Sequence, residues 1–202
     1  RGFSPRLADL AEQVFTDRHI DGPTRSGKLG GAYCYSVVPG MTPYVMLNYT
    51  GEARDIATMA HELGHAVHGM MAKDHSIFTF HSTLPLAETA SVFGEMLTFR
   101  RLLRNAPDAK EKKVLLAGKV EDMINTVVRQ IAFYDFESRL HAARRAGELT
   151  PDDINAIWMA VQSESLGPAF TFDDEYKHYW SYIGHFIHSP FYVYAYAFGD
   201  CL

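Results

Sequence analysis

Cysteine is scarce. The 202-residue chain carries two, Cys34 and Cys201, far apart in sequence. That is no disulfide framework, and it suits reduced thiols in a cytoplasmic setting. Positive charge is not in excess either. The formal net charge is −5, which argues against nucleic acid or an anionic membrane as partner. No apolar run approaches the ~20 residues that a membrane-spanning helix needs, and no secretory leader pattern is visible. Low-complexity linkers and internal repeats are lacking as well. Apolar residues, by contrast, make up 47% of the chain and aromatic ones 13%, enough to build a packed interior in one domain.

The most informative stretch runs from Asp55 to Met71, DIATMAHELGHAVHGMM. Ile56, Met59, Ala60, Leu63, Val67 and Met70 recur near the helical period, and no proline interrupts them. Thr50 and Gly51 stand before it as turn and cap. Within it lies His61-Glu62-Leu63-Gly64-His65, an HExxH. Residues four apart share a helix face, so the two imidazoles lie at a spacing that one Zn²⁺ bridges. Glu62 is rotated off that pair, within reach of a water that zinc would acidify. Gly64 costs a helix about 1 kcal/mol relative to Ala. A helix shaped by stability alone would avoid it, so close approach of another backbone is expected there.

Two histidines leave a catalytic zinc one protein ligand short. The extended pattern HExxHxxGxxH would put Gly at 68 and His at 71; the chain has His68 and Met71, which excludes that class. A glutamate on a second helix is the other common solution. Ser82 to Arg101 reads as such a helix, with Pro85 in its first turn and Leu86, Ala90, Phe93 and Leu97 as apolar stripe. Glu88, Ser91 and Glu95 fall on one face of it. Glu88 is favoured as ligand, with Glu95 or Ser91 orienting it or a histidine. His68, His75 and His81 are its rivals, His68 foremost.

The remainder reads as mainly α with a small β element. Pro5 to Asp17 is a short amphipathic helix, and His19 to Pro23 a turn. Gly22 to Lys28 satisfies GxxxxGK, but Leu29 stands where a phosphate loop needs Ser or Thr, and no strand leads into it. A flexible loop is the better reading. Ala32 to Val38 and Tyr44 to Tyr49 are β-prone and form a hairpin or neighbouring strands. Asp108 to Ala146 is one long helix, or two with a kink. Thr150-Pro151-Asp152-Asp153 opens a helix to about Glu164, and Ala169 to Tyr179 reads as loop. Pro190 starts a final helix whose rings are mostly core.

The strings HELGHAVH, LAETAS followed by Glu95, and HFIHSPFYVYAYAFG together resemble the thimet oligopeptidase type of zinc metallopeptidase, in its oligoendopeptidase F branch. The likeness spreads from about Gly30 to the C-terminus. It implies a zincin-like HExxH helix and a Glu-bearing second helix in a helical catalytic domain. By that resemblance His61, His65 and Glu88 hold one Zn²⁺ and Glu62 is the general base. His185, Tyr192 and Tyr194 are implied as donors to the substrate oxygen. The implied activity is endopeptidase cleavage of short oligopeptides, residues 1–202 being a single catalytic-region fragment of a longer enzyme that lacks an N-terminal helical part and a C-terminal end. A homologue that binds metal or peptide without turnover is the alternative, but it would have no need of Glu62.

Overall fold

The computed structural model describes residues 1–201. The chain divides into two compact units, Arg1–Leu116 and the part that starts at Ala117. In the first unit, helix α1 (Pro5–Thr16) begins at Ser4, whose hydroxyl accepts from the Leu7 N–H at 3.3 Å. Strands β1 (Ile20–Pro23), β2 (Tyr33–Tyr35) and β3 (Tyr44–Tyr49) make a sheet of order β1-β3-β2. Strands β2 and β3 pair antiparallel, as the β-prone runs predict; β1 lies parallel to β3.

β1 was expected to be a turn. Its Asp, Gly and Pro are poor strand formers, and Pro is tolerated because β1 is an edge strand. The register shifts between Asp21 and Pro23. Lys28 secures that irregularity. Its side chain is 4% exposed, and its ammonium donates to the carbonyls of Asp21 (2.9 Å), Pro23 (3.0 Å) and Leu47. The lysine of the GxxxxGK string is thus a buried clamp on the sheet.

Helix α2 (Ala53–Met71) carries the HExxH. Its start is a reciprocal capping box between Glu52 and Asp55. The Asp55 carboxylate also gathers the N–H groups of Thr50 and Gly51, at 2.7 and 3.0 Å. One face of α2 packs with Val14 of α1 and with Val45 and Leu47 of β3 through Ala66 and Met70. The opposite face meets helix α3 (Leu84–Asn105), whose first turn contains Pro85. The two helices touch backbone to backbone. A Cβ added at Gly64 would run into the Ala90 carbonyl oxygen, and one added at Gly94 into the Ala60 carbonyl oxygen. The same Gly94 Cβ would lie 3.6 Å from the Gly64 Cα, so the two glycines face each other.

Helix α4 (Ala109–Ile124) buries none of its residues; Val114, Val120, Met123 and Ile124 are exposed. A π-turn at Asn125–Arg129 follows and runs into α5 (Gln130–Ala146). This is the interruption that the long apolar pattern left open. In the second unit α5 packs against α6 (Pro151–Leu166), which opens on the expected Thr150–Asp153 capping box. Phe133 and Phe136 of α5 surround Trp158 and Val161 of α6 in the core.

The stretch expected to be loop includes a 3₁₀ helix at Asp174–Tyr182. A period of three places Tyr176, Tyr179 and Tyr182 in line, their successive ring centroids 5.0 and 6.4 Å apart. Trp180 donates from Nε1 to the Asn155 side chain at 2.8 Å and ties this segment to α6. Two short helices end the chain, α7 (His185–His188) and α8 (Tyr194–Asp200). Val193, Ala195 and Ala197 are the buried members there, whereas Phe191, Tyr194 and Phe198 are exposed. The expectation of a largely aromatic core is corrected: in α8, which packs on α5, the buried residues are the small Ala195, Ala197 and Gly199.

The glycine contact makes a prediction with an internal control. Gly94→Ala should lose about 1–3 kcal/mol of stability through overpacking, although Ala is the better helix former. Gly118→Ala in α4, where an added Cβ meets nothing within 4 Å, should gain up to about 1 kcal/mol. Denaturant unfolding of both variants checks this; equal effects would contradict the close helix contact.

Candidate metal centre

His61 and His65 sit one turn apart on α2, with their Nε2 atoms 3.2 Å from each other. Glu88, in the first turns of α3, brings Oε2 to 3.5 Å from the first and 3.7 Å from the second. Among the described residues these three are the group compact enough to share an ion, all donor atoms lying within 4.8 Å of one another. A tetrahedral zinc with bonds of about 2.05 Å needs its ligand atoms roughly 3.3 Å apart. The observed triangle fits that requirement. The donor chemistry, two imidazoles and one carboxylate, is that of a catalytic zinc site with an open fourth position.

The surrounding groups set the tautomer and aim of each donor. Glu95 Oε1 lies 2.6 Å from His61 Nδ1. A carboxylate there accepts a hydrogen bond from Nδ1–H, which leaves the Nε2 lone pair facing the triangle. The His65 ring bonds the backbone of Ala87. Ser91 donates from Oγ to Glu88 Oε2 at 2.9 Å and to the Glu88 carbonyl at 2.8 Å, bracing the carboxylate against its own helix. Glu88 and Ser91 are 1% and 0% exposed.

Electrostatics distinguish the two histidines. Burial works to lower the His61 pKa, but Glu95, Glu62 and Glu88 outweigh it and hold it above its usual value. His65 has no such hydrogen-bonded carboxylate, and burial drives its pKa down. That direction favours the neutral imidazole, the form that binds metal. His68, the foremost rival, is half-buried, with its pKa lowered by burial; it does not join the compact group. Glu62 faces into this region from the same helix. Burial lifts its pKa to about 7, with the Glu88 and Glu95 charges adding to the rise against His61. Beside it, burial and the Glu62 charge push the Cys34 thiol up to about 12. Cys34 is not a member of the compact donor group.

The remaining sequence-derived candidates lie in the second unit. His185 is on α7, Tyr192 in the turn that follows, and Tyr194 at the start of α8. His185 packs on Tyr192, ring centroids 5.2 Å apart, and the Tyr196 hydroxyl is 3.4 Å from His185 Nε2. Tyr194 lies against Tyr134 at 5.8 Å. Tyr196 stands outside the implied donors, although its spacing of four from Tyr192 would put the two on one face of a helix. The backbone support of His65 left no trace in side-chain identities.

Comparison with known proteins agrees with the resemblance read from the motifs. The sequence model of peptidase family M3 matches residues 4–199. Oligopeptidase PepF of Bacillus subtilis is 31% identical over 98% of the chain, and this match covers 30% of that protein. An oligoendopeptidase F homologue of Borreliella burgdorferi is 32% identical over 94% of the chain, covering 32% of its length. The chain thus spans about a third of these relatives. Among solved structures, PZ peptidase A with a bound inhibitor superimposes with a TM-score of 0.83 at 21% identity, over 98% of the chain and 35% of that protein. That last likeness concerns the fold alone.

The geometry separates a direct ligand from a supporting group. Glu88→Ala should weaken zinc affinity more than Glu95→Ala does, the latter by about 10–100-fold. Zinc titration against a competing chelator checks the order. If Glu88→Ala binds as tightly as the unchanged protein, the third donor lies elsewhere.

Proposed function

The chain belongs to peptidase family M3, and from that premise we propose that the protein is a zinc-dependent metalloendopeptidase that cleaves short oligopeptides. The observation that carries the reading is the convergence of two imidazole Nε2 atoms and one buried carboxylate on a zinc-sized triangle. His61, His65 and Glu88 would hold one ion per chain. When bound, the metal supplies a Lewis acid that polarises a carbonyl and acidifies water.

The other groups divide the remaining work. Glu62, with its pKa near 7, is matched to accept a proton from the attacking water and pass it to the leaving amine. Hydrolysis also builds negative charge on the substrate oxygen. His185, with Tyr192 and Tyr194, is the proposed source of hydrogen bonds to that charge; one such donor is worth about 2.7–4 kcal/mol in the transition state. Strand β2 has one paired edge, with β3, and one open edge. Its Tyr33 and Tyr35 are exposed. An extended peptide added along the open edge would gain main-chain hydrogen bonds with little demand on side-chain identity. That suits a peptidase acting on unstructured oligopeptides.

No helix of the described residues is long and apolar enough to cross a membrane. Both cysteines are free, which supports the proposed cytoplasmic setting.

Glu62→Gln in the whole protein should abolish hydrolysis of a quenched fluorescent peptide while leaving about one zinc per chain. The side chain is a base and not a ligand, so it can be neutralised without disturbing the triangle. Loss of zinc in this variant would overturn the assignment of Glu62. Zinc binding without cleavage by the unaltered protein would favour a binding function.

A further inference from the structure

The turn between α7 and α8 is built against local preference. Tyr192 donates its N–H to the Ser189 carbonyl at 3.2 Å, closing a four-residue turn with Pro190 and Phe191 at its centre. Phe191 has φ +60. With Pro second, a left-handed third residue is the type II pattern, which calls for Gly or Asn at that position. A bulky aromatic there is strained and has to be held by its surroundings.

The holder is a carboxylate in the core. Glu137 on α5 is 1% exposed, on a helix that also buries Ala132, Phe133 and Phe136. Its Oε1 accepts from the Phe191 N–H at 2.6 Å, and its Oε2 is buried with no hydrogen-bond partner. Burial holds this carboxyl above the usual carboxylate range, and the facing groups His141 and His185 only partly offset that. An apolar residue would have been the easier occupant of such a place. The Phe191 side chain has neighbours too: the His141 ring lies tilted against it at 4.7 Å, and Tyr134 meets it edge-on at 6.4 Å.

The residues on either side of the turn give this expense a purpose. His185 precedes it and Tyr192 closes it. The Tyr192 ring also packs on Tyr196, centroids 5.4 Å apart, while Tyr196 reaches His185. His185, Tyr192 and Tyr196 form one triangle whose shape depends on the turn.

We propose that Glu137 is a positioning residue: its carboxylate fixes the strained Ser189–Tyr192 turn and so sets the His185–Tyr192–Tyr196 triangle for hydrogen bonding to the reacting substrate. This rests on the reading of His185 and the tail tyrosines as donors to the developing oxyanion.

The test uses Glu137→Met, which removes the acceptor at similar volume, and Glu137→Gln, whose amide oxygen still accepts, both in the whole protein. Glu137→Met should speed amide hydrogen exchange in residues 189–194. It should also lower kcat by about 10–100-fold, as slight misplacement of reacting groups does, with KM and zinc content little changed. Glu137→Gln should stay near the unaltered protein in all four readouts. Unchanged kcat in Glu137→Met, or an equal fall in both variants, would overturn the proposal. If Glu137→Met does not fold, Glu137→Asp, which withdraws the oxygens by one methylene, should show the same pattern in milder form, and unchanged kcat there overturns it equally. His185→Ala and Tyr192→Phe measured alongside separate the two levels. If both keep full kcat, the donor reading fails and the proposal falls with it. If both lose kcat while Glu137→Met does not, the donor reading stands and the proposal alone is overturned.

Discussion

Two helices meet at Gly64 and Gly94 more closely than any side chain would permit. The candidate metal centre depends on that contact. The imidazoles come from α2 and the carboxylate from α3, so the distance between the helix axes sets the size of the donor triangle. Small residues allow backbones to approach closely, and the approach brings a short glutamate arm within 3.5–3.7 Å of both imidazoles. The supporting bonds cross the same seam. Glu95 reaches back from α3 to His61, and His65 reaches forward to the Ala87 backbone. A helix pair one methyl further apart would loosen all of these together.

Electrostatic cost explains why the centre suits a cation. Burying a carboxylate costs several kcal/mol unless a partner compensates, and Glu62, Glu88 and Glu95 cluster on two histidines of one helix. A divalent ion held at the triangle would offset the negative charge, with the Nε2 atoms of His61 and His65 near enough to share it. Burial, with the Glu88 and Glu95 charges adding to it, raises Glu62 to about 7, the range useful for proton transfer at neutral pH. In the proposed reading, one arrangement of charges would serve both the holding of a metal and the tuning of a base.

Much of this was legible in the sequence because helical periodicity carries it. The HExxH spacing placed His61 and His65 on one face, and the face shared by Glu88, Ser91 and Glu95 foretold which groups of α3 would meet them. Gly64 announced a close backbone contact by its cost to the helix. What could not be read has equally physical causes. β1 hid behind Asp, Gly and Pro, because an edge strand clamped by Lys28 tolerates residues that a central strand would reject. The 3₁₀ helix at Asp174–Tyr182 was missed because its aromatics follow a period of three. The hold of Glu137 on Phe191 links residues 54 positions apart through a main-chain N–H, which no local pattern encodes.

Membership of peptidase family M3 and the donor triangle lead to one expectation about atoms. A crystal structure of the zinc-loaded protein, with the ion located by its anomalous scattering, measures it directly. One zinc should lie about 2.0–2.2 Å from His61 Nε2, His65 Nε2 and a Glu88 carboxylate oxygen, with Glu95 still on His61 Nδ1. A zinc bound through His68 in place of Glu88, or no ordered zinc at the triangle, would contradict the account.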